Sequence, residues 1–321
     1  MVKAKLLYKK IGFSLSFRED VVFTSPPEFV FRSVIGYHLR RMCCIAHDKP
    51  CFDCLYSATC VYGSVFESVI PKDNRILAGR DRIAHPVVIE ADRLTAAETA
   101  SLVLNIIFTG SSLACLPYFF QALKKGGESG VLKQRTPYTI RDCFDYSAGS
   151  KRSLLVNAEL LNTNIEPDVW EFDDPDGRPY GGELLIQLQS PLRFKVGGRY
   201  SGTFTAADFA LCLHRRTETL CSQYGSYTGG DKNAAGTAWP FFHGWNIAES
   251  ALGWKDWTHY SARQKKTMRL GGLTGSMVLA GFFTPYEYAI LRFAEIFHAG
   301  KNTNFGLGKI ALWEKDRAGT A

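Results

Sequence analysis

The sequence predicts an α+β protein of two tandem domains, with a cysteine-rich insertion in the first. Three observations carry the prediction. At 321 residues the chain is long enough for two cores of ordinary size. Alternating and 3.6-residue apolar periods follow one another as strand, helix, strand, strand, helix, strand, and that order occurs twice. Cysteines 43, 44, 51, 54 and 60 crowd the stretch just after the first helix. The doubled βαββαβ order is the ferredoxin-like, or RRM-like, arrangement, repeated in order and not in residue identity. The expected boundaries are 1–147 for the first domain with its insertion at 43–66, 148–182 for an acidic linker, and 183–321 for the second domain.

Residues 3–17 alternate (Leu6, Tyr8, Ile11, Phe13, Leu15, Phe17) and predict a long strand. Ser25-Pro26-Pro27-Glu28 marks a helix start, with Ser25 as cap, Pro26 at the first helical position and Glu28 closing a capping box. The helix carries Phe31, Ile35, Leu39 and Met42 on one face, Arg32, Arg40 and Arg41 away from it, and ends near Cys43. Residues 44–66 are irregular. Residues 86–91 and 100–109 read as strands; Thr95-x-x-Glu98 also permits a helix over 96–108, but Val103, Ile106, Ile107 and Phe108 favour the strand. A second helix over 112–124 is expected to stop at Gly126-Gly127, followed by a strand or strand pair over 131–146. Glu166, Asp168, Glu171, Asp173, Asp174 and Asp176, interspersed with Pro and Gly, make the linker.

The second half opens with a strand over 183–195. Thr205-x-x-Asp208 starts a helix with Phe209, Leu213, Leu220 and Tyr224 inward, and a glycine-rich loop follows. Strands are expected over 254–261 and 268–283. Thr284-Pro285-Tyr286-Glu287 opens the last helix, with Ile290, Phe293, Ala294 and Phe297 inward, and a final strand covers 309–313. Between them lies the loop 298–308, whose Gly300, Gly306 and Gly308 suit close backbone approach and whose Lys301 adds a cation. It lacks the spacing of a nucleotide P-loop and follows a helix instead of preceding one. Two readings stand: an anion-cradling loop, or a helix C-cap leading into an edge strand.

Lysine plus arginine number 38 against 31 acidic residues, a net charge of +7 that suits a polyanion, nucleic acid first and an acidic membrane surface second. No apolar run is long enough to span a membrane, and Met-Val-Lys-Ala-Lys lacks the apolar core of a signal peptide, so a cytoplasmic protein is expected. Nine cysteines in a reducing compartment are not a disulfide framework. Cys44 (or Cys43), Cys51, Cys54 and Cys60 supply four thiolates within seventeen residues, suited to a closed structural zinc site, with His47 as an alternative ligand and buried free thiols as the plain reading. Cys115, Cys143, Cys212 and Cys221 fall in apolar patterns and read as core.

Gly271-Gly272-Leu273-Thr274-Gly275, His298-Ala299-Gly300-Lys301-x-x-x-Phe305-Gly306-Leu307-Gly308, Cys51-x-x-Cys54 and Cys60-Val61-Tyr62 together resemble the CRISPR-associated repeat-RNA processing endoribonucleases of the RAMP superfamily, in their zinc-finger-containing subgroup. The tandem pair of sheets, basic overall, by itself makes the cleft between domains a natural ligand site; the resemblance implies two ferredoxin-like domains with a C-terminal glycine-rich loop against RNA. It also implies metal-independent cleavage of precursor CRISPR RNA at its repeat, by 2′-hydroxyl attack leaving a 2′,3′-cyclic phosphate and a 5′-hydroxyl. The implied partner is CRISPR repeat RNA, with an effector complex as a further one, and zinc is structural only. A RAMP-fold subunit that holds guide RNA without cutting it is the alternative.

In the family a catalytic histidine often lies on or just after the first helix, where Tyr37, His38, His47 and Lys49 stand here. His47 is the first choice, in an irregular segment with Lys49 placed to stabilise charge. His38, near the Phe31 and Ile35 face, reads as a core histidine, and Tyr37 as an acid, a stacking group or packing. His298 reads as a C-terminal helix cation. For RNA contact the candidates are Gly300, Lys301, Gly306 and Gly308, the hairpin cations Arg263, Lys265, Lys266 and Arg269, and Arg215 and Arg216 projecting from the neighbouring helix. Trp254, Trp257 and Tyr260 are placed to stack on bases or to pack on a strand face.

Overall fold

The computed structural model describes residues 2–47, 49–57, 59–68, 84–92, 98–147, 149–157, 160–173, 177–228, 244–261 and 266–315. In chain order the first elements are β1 (Lys3–Val22), α1 (Pro27–Cys43), β2 (Val87–Ala91), β3 (Glu98–Thr109), α2 (Leu116–Ser129), β4 (Tyr138–Ser147) and β5 (Ser150–Ser153). The short strands β6 (Leu155–Val156), β7 (Leu160–Leu161) and β8 (Asp168–Phe172) lead to β9 (Tyr180–Leu192), β10 (Lys195–Val196), β11 (Arg199–Tyr200), α3 (Ala206–Tyr224) and β12 (Ser226–Thr228). The chain continues through β13 (Asn246–Lys255), β14 (Thr258–Ser261), β15 (Lys266–Arg269), β16 (Gly272–Phe283), α4 (Pro285–Phe297) and β17 (Ile310–Lys315). The fold is mixed α+β with antiparallel sheets.

Two compact units form. One, the α1–α2 unit, is Leu7–Asp168 with Thr258–Met268; the other, the α3–α4 unit, is Met1–Leu6, Val169–Trp257 and Arg269–Ala321. In the α1–α2 unit the strands run β2-β3-β1-β4-β5, and in the α3–α4 unit β13-β16-β9-β17. Each order places the second, third, first and fourth strands of a βαββαβ run side by side. In the first sheet Ile11 faces Ile106 on β3 and Asp145 on β4. In the second, Ile186 of β9 faces Met277 on β16 and Leu312 on β17. Alternation explains the registers, because Ile11, Phe13 and Leu15 are fully buried on one face of β1 and meet Phe31, Ile35 and Leu39 of α1 in one core.

Several local expectations change. The box at Ser25 does not form: Pro26 holds the N-cap with no side-chain hydrogen bond, and Glu28 Oε1 accepts instead from the Ala91 amide at 3.2 Å. Met42 is exposed, one residue from the helix end. The boxes at Thr205/Asp208 and Thr284/Glu287 do form. Gly126 and Gly127 lie inside α2 and do not stop it. A Cβ on Gly127 would collide with the Tyr138 carbonyl and one on Gly126 with Val34, so these glycines let α2 approach β4 and α1 closely; Gly130, at φ +74°, ends the helix. The acidic stretch holds β8, which pairs with β1. Its carboxylates answer the β1 lysines: Lys3 lies 2.7 Å from Asp173, Lys5 3.6 Å from Glu171 and Lys9 3.1 Å from Asp168. The strand expected over 254–261 is split between β13 and β14, and β13 begins eight residues earlier than expected, its largely exposed residues giving no apolar alternation.

Candidate functional site

The polar face of α1 meets the last turn of α2. With Phe31, Ile35 and Leu39 turned to the core, the 3.6-residue period leaves Tyr37, His38 and Arg41 outward. Arg41 Nη1 donates to Tyr37 Oη at 3.0 Å, and the Tyr37 and His38 rings meet edge to face at 5.0 Å. Lys125 Nζ donates to Glu128 Oε2 at 2.9 Å across one turn of α2, and this bond holds the Glu128 carboxyl below its usual range. Both groups bear on His38. Burial first, then the Arg41 cation, lowers the imidazole below the histidine value of 6.5, while Glu128 pulls the other way and Lys125 adds to the fall. A neutral imidazole near pH 7 therefore stands among a phenol and two cations.

His38 is half-buried and not a core residue, because the sheet lies under the other face of α1. His47 sits in the turn beyond α1 with its side chain exposed, and its carbonyl accepts from Arg40 Nη2 at 3.1 Å. It is not among the groups that act on His38. Lys49 is exposed and lines a different cavity. Sequence reading missed Arg41, Lys125 and Glu128. Their signal was present in the spacing Tyr37/Arg41 and Lys125/Glu128, which puts each pair on one helix face.

That other cavity, of about 200 Å³, is lined by Cys43, Cys44, Cys51, Cys54 and Cys60 with Lys49, Tyr56 and Tyr62. Burial raises the Cys43 thiol, with Cys60 and Cys44 adding to it, and Cys60 Sγ lies 3.8 Å from the Cys43 carbonyl. Among the described residues no three histidine, cysteine or acidic groups are gathered into a metal-holding cluster.

In the α3–α4 unit the loop after α4 is bonded inward. His298 takes a left-handed backbone (φ 60°), is fully buried, and its Nδ1 lies 3.1 Å from the Leu307 carbonyl, so it is a loop strut and not an exposed helix cation. Amides of Ala299, Lys301 and Gly308 donate to Gly308, Arg193 and Pro191 carbonyls at 2.8, 2.7 and 2.9 Å. Gly306 donates to Thr303, and its carbonyl accepts from Ser190 Oγ at 2.6 Å. A Cβ on Gly300 or Gly308 would strike the Arg193 or Ala299 carbonyl. The glycines serve chain-to-chain approach, which corrects the picture of an open amide cradle; the Lys301 side chain is exposed. Arg215 is exposed too, but Arg216 does not project. It is buried and donates through Nε and Nη2 to the Phe297 carbonyl at 3.3 and 2.9 Å, and burial lowers it to about 10. Its guanidinium closes the C-terminus of α4.

Arg263 and Lys265 lie outside the described residues, as does the side chain of Lys266; Arg269 is exposed. Trp254 is 40% exposed with its indole N–H on Asp256 Oδ1 at 3.1 Å, and Lys255 lies 5.2 Å from the Trp257 ring.

The AF_1859_N family, described as an N-terminal domain, matches residues 6–166, half of the chain, and CRISPR-associated endoribonuclease Cas6 matches residues 186–310. Residues 186–310 thus form a Cas6 domain, and the half of the chain before it belongs to the AF_1859_N family. Solved Cas6 structures share its fold. A Cas6 product complex superposes with a TM-score of 0.55 at 13% identity, covering 96% of this chain and 99% of that one. Thermus thermophilus Cas6 gives 0.51 at 12% identity, covering 96% and 99%. A partial Cas6-RT-Cas1–Cas2 complex gives 0.53 at 12% identity, covering 98% of this chain and 47% of that one. A search of curated proteins returned no match. The Cas6 match falls mostly on the α3–α4 unit and takes in the inward-bonded loop, whereas the His38 face lies within the N-terminal match. No described helix is long and apolar enough to cross a membrane.

Proposed function

We propose that this protein binds CRISPR repeat RNA and cleaves precursor CRISPR RNA at the repeat, with each chemical role filled by a side chain. The observation that carries the proposal is the cluster of Tyr37, His38, Arg41 and Lys125 in a chain that bears a Cas6 domain. His38 takes the proton of the 2′-hydroxyl as its oxygen bonds to phosphorus. The bond from phosphorus to the 5′-oxygen breaks, and the leaving oxygen gains a proton from the Tyr37 phenol, which Arg41 polarises. Arg41 and Lys125 balance the charge on the phosphorane. The products are a 2′,3′-cyclic phosphate and a 5′-hydroxyl.

The same strand order in both units supports a tandem ferredoxin-like reading. For RNA contact the supported side chains are Lys301, Arg215 and Arg269, all exposed. Structural zinc belongs to the proposal as well: thiolates are its preferred donors, and the cysteines lining one cavity, Cys44 (or Cys43), Cys51, Cys54 and Cys60, would hold it and tie the insertion together. Metal analysis of wild type beside the Cys51→Ser/Cys54→Ser variant tests this, and equal zinc content would refute it. A cytoplasmic setting with CRISPR RNA as partner completes the proposal.

Incubating the protein with end-labelled repeat RNA in EDTA tests the whole. Cleavage to a cyclic phosphate is expected, and tight binding with intact RNA would favour instead a non-catalytic RNA-holding subunit.

A further inference from the structure

The hairpin that follows β9 has no part in the chemistry above, yet it is built on the same rigid piece of backbone as the loop after α4. Lys195 pairs with Tyr200 and Val196 with Arg199, around Gly197 and Gly198 at φ 56° and 81°. Two successive left-handed residues are what a tight two-residue hairpin requires. A Cβ at either glycine would meet nothing, so the turn stands free of the body of its unit.

Tyr200 is 41% exposed, and the Arg193 guanidinium lies 3.8 Å from its ring centroid. Lys195 Nζ lies 5.5 Å from the same ring, and Arg193 Nη1 is held by the Arg269 carbonyl at 3.1 Å. The Arg193 carbonyl in turn accepts the Lys301 amide at 2.7 Å. One backbone junction thus fixes an exposed aromatic plane beside two cations, Arg193 and Lys195, with Arg199 adjacent on the hairpin and the Lys301 backbone bonded to Arg193. From Gln189 to Phe204 the sequence holds no acidic residue. The next carboxylate, Asp208, is engaged by the Thr205 hydroxyl and amide in the α3 cap.

We propose that this hairpin is a single-stranded RNA contact, in which one unpaired base stacks on Tyr200 while Arg193, Lys195, Arg199 and Lys301 hold the neighbouring phosphates. The inference rests on the RNA-binding part of the proposed function. A planar π face flanked by cations, with no carboxylate in its own segment from Gln189 to Phe204 to repel phosphate, fits an unpaired nucleotide better than a base-paired stem, whose bases are already stacked. Because the ring sits on a free turn and fills no core, its role is separable from folding.

The test uses the full chain with a 5′-fluorescein-labelled RNA carrying a CRISPR repeat and unpaired flanks, and the same RNA with abasic sites placed singly along the unpaired nucleotides. Tyr200→Ala is expected to weaken binding roughly tenfold, within the range for loss of one base–aromatic stack. Tyr200→Phe should bind as wild type does. One abasic position should weaken wild type by a similar factor, and at that position alone Tyr200→Ala should cost nothing more. Wild-type affinity in Tyr200→Ala, or a loss that is the same on every abasic RNA, would overturn the inference while leaving RNA binding intact. Absence of RNA binding by wild type would instead overturn the proposed function and this inference with it.

Discussion

On the α1–α2 face the candidate functional groups reach solvent and act on one another, whereas in the loop after α4 most of the polar backbone bonds inward. His38 answers to Arg41, Glu128 and Lys125. His298, by contrast, is buried against the Leu307 carbonyl, and the amides around it are taken up by Pro191, Arg193 and Gly308. The difference separates two jobs. A group that takes and gives protons needs accessible neighbours that tune it, while a group that positions a polyanion needs a backbone that does not move. Histidine appears in both places, and only burial and partner tell the two apart.

The largest expected effect breaks the comparison at its reactive side. His38→Ala should lower the cleavage rate by about 10²- to 10⁴-fold, the usual range for a general base, while His47→Ala stays at the wild-type rate. In single-turnover assays the rate should rise with pH through a midpoint below the ordinary histidine value of 6.5, since the neutral imidazole is the active form. The reverse result in the two variants would move the chemistry to the turn beyond α1.

Acid should act differently on the α3–α4 unit. Burial, then Arg215, pushes His214 down to about 4 from 6.5, with its Nδ1 2.9 Å from Tyr286 Oη. Between those values the unfolded chain takes up a proton that the folded chain refuses. Stability present above pH 6.5 is therefore lost as pH falls toward 4, by up to roughly 3 kcal/mol. Urea midpoints at pH 7 and pH 4.5 should show this fall, reduced in His214→Gln.

Gly127→Ala should destabilise the α1–α2 unit by about 1–3 kcal/mol through the collision with the Tyr138 carbonyl, read as a lower melting temperature. The smallest effect is at Lys301→Ala. Binding should weaken modestly and the salt slope should fall by about 0.7, one phosphate contact on a single strand, with the single-turnover rate at saturating RNA unchanged. A rate loss larger than the binding loss would place Lys301 in the reaction itself.

The doubled strand and helix order was legible because apolar periodicity depends on local sequence and burial, and two of the three capping boxes were equally local. Ser25 failed as a cap because Glu28 was claimed by Ala91, a residue far along the chain. Gly126-Gly127 read as a stop because sequence does not show what packs across a helix. The candidate site was half legible. Tyr37 and His38 were in view, but their rank below His47 changed only when α2 brought Lys125 and Glu128 alongside. The glycine loop was found as a motif, yet its amides were assigned outward because their acceptors at Pro191 and Arg193 lie about a hundred residues upstream. Arg216 passed for a surface cation because nothing local reveals that it reaches the Phe297 carbonyl.

The two glycines inside α2 also set when the candidate reactive face exists. Each costs a free helix up to about 1 kcal/mol relative to alanine, so the last turn, which carries Lys125 and Glu128, has little tendency to form alone and persists because it is docked on Tyr138 and Val34. Amides of that turn should then exchange with solvent in step with the undocking of α2, well before its first turns open. A chain whose sheet and helix have not yet closed together keeps His38 but lacks the groups that tune it. On the proposed role of His38, the fold thereby withholds cleavage from incompletely assembled molecules.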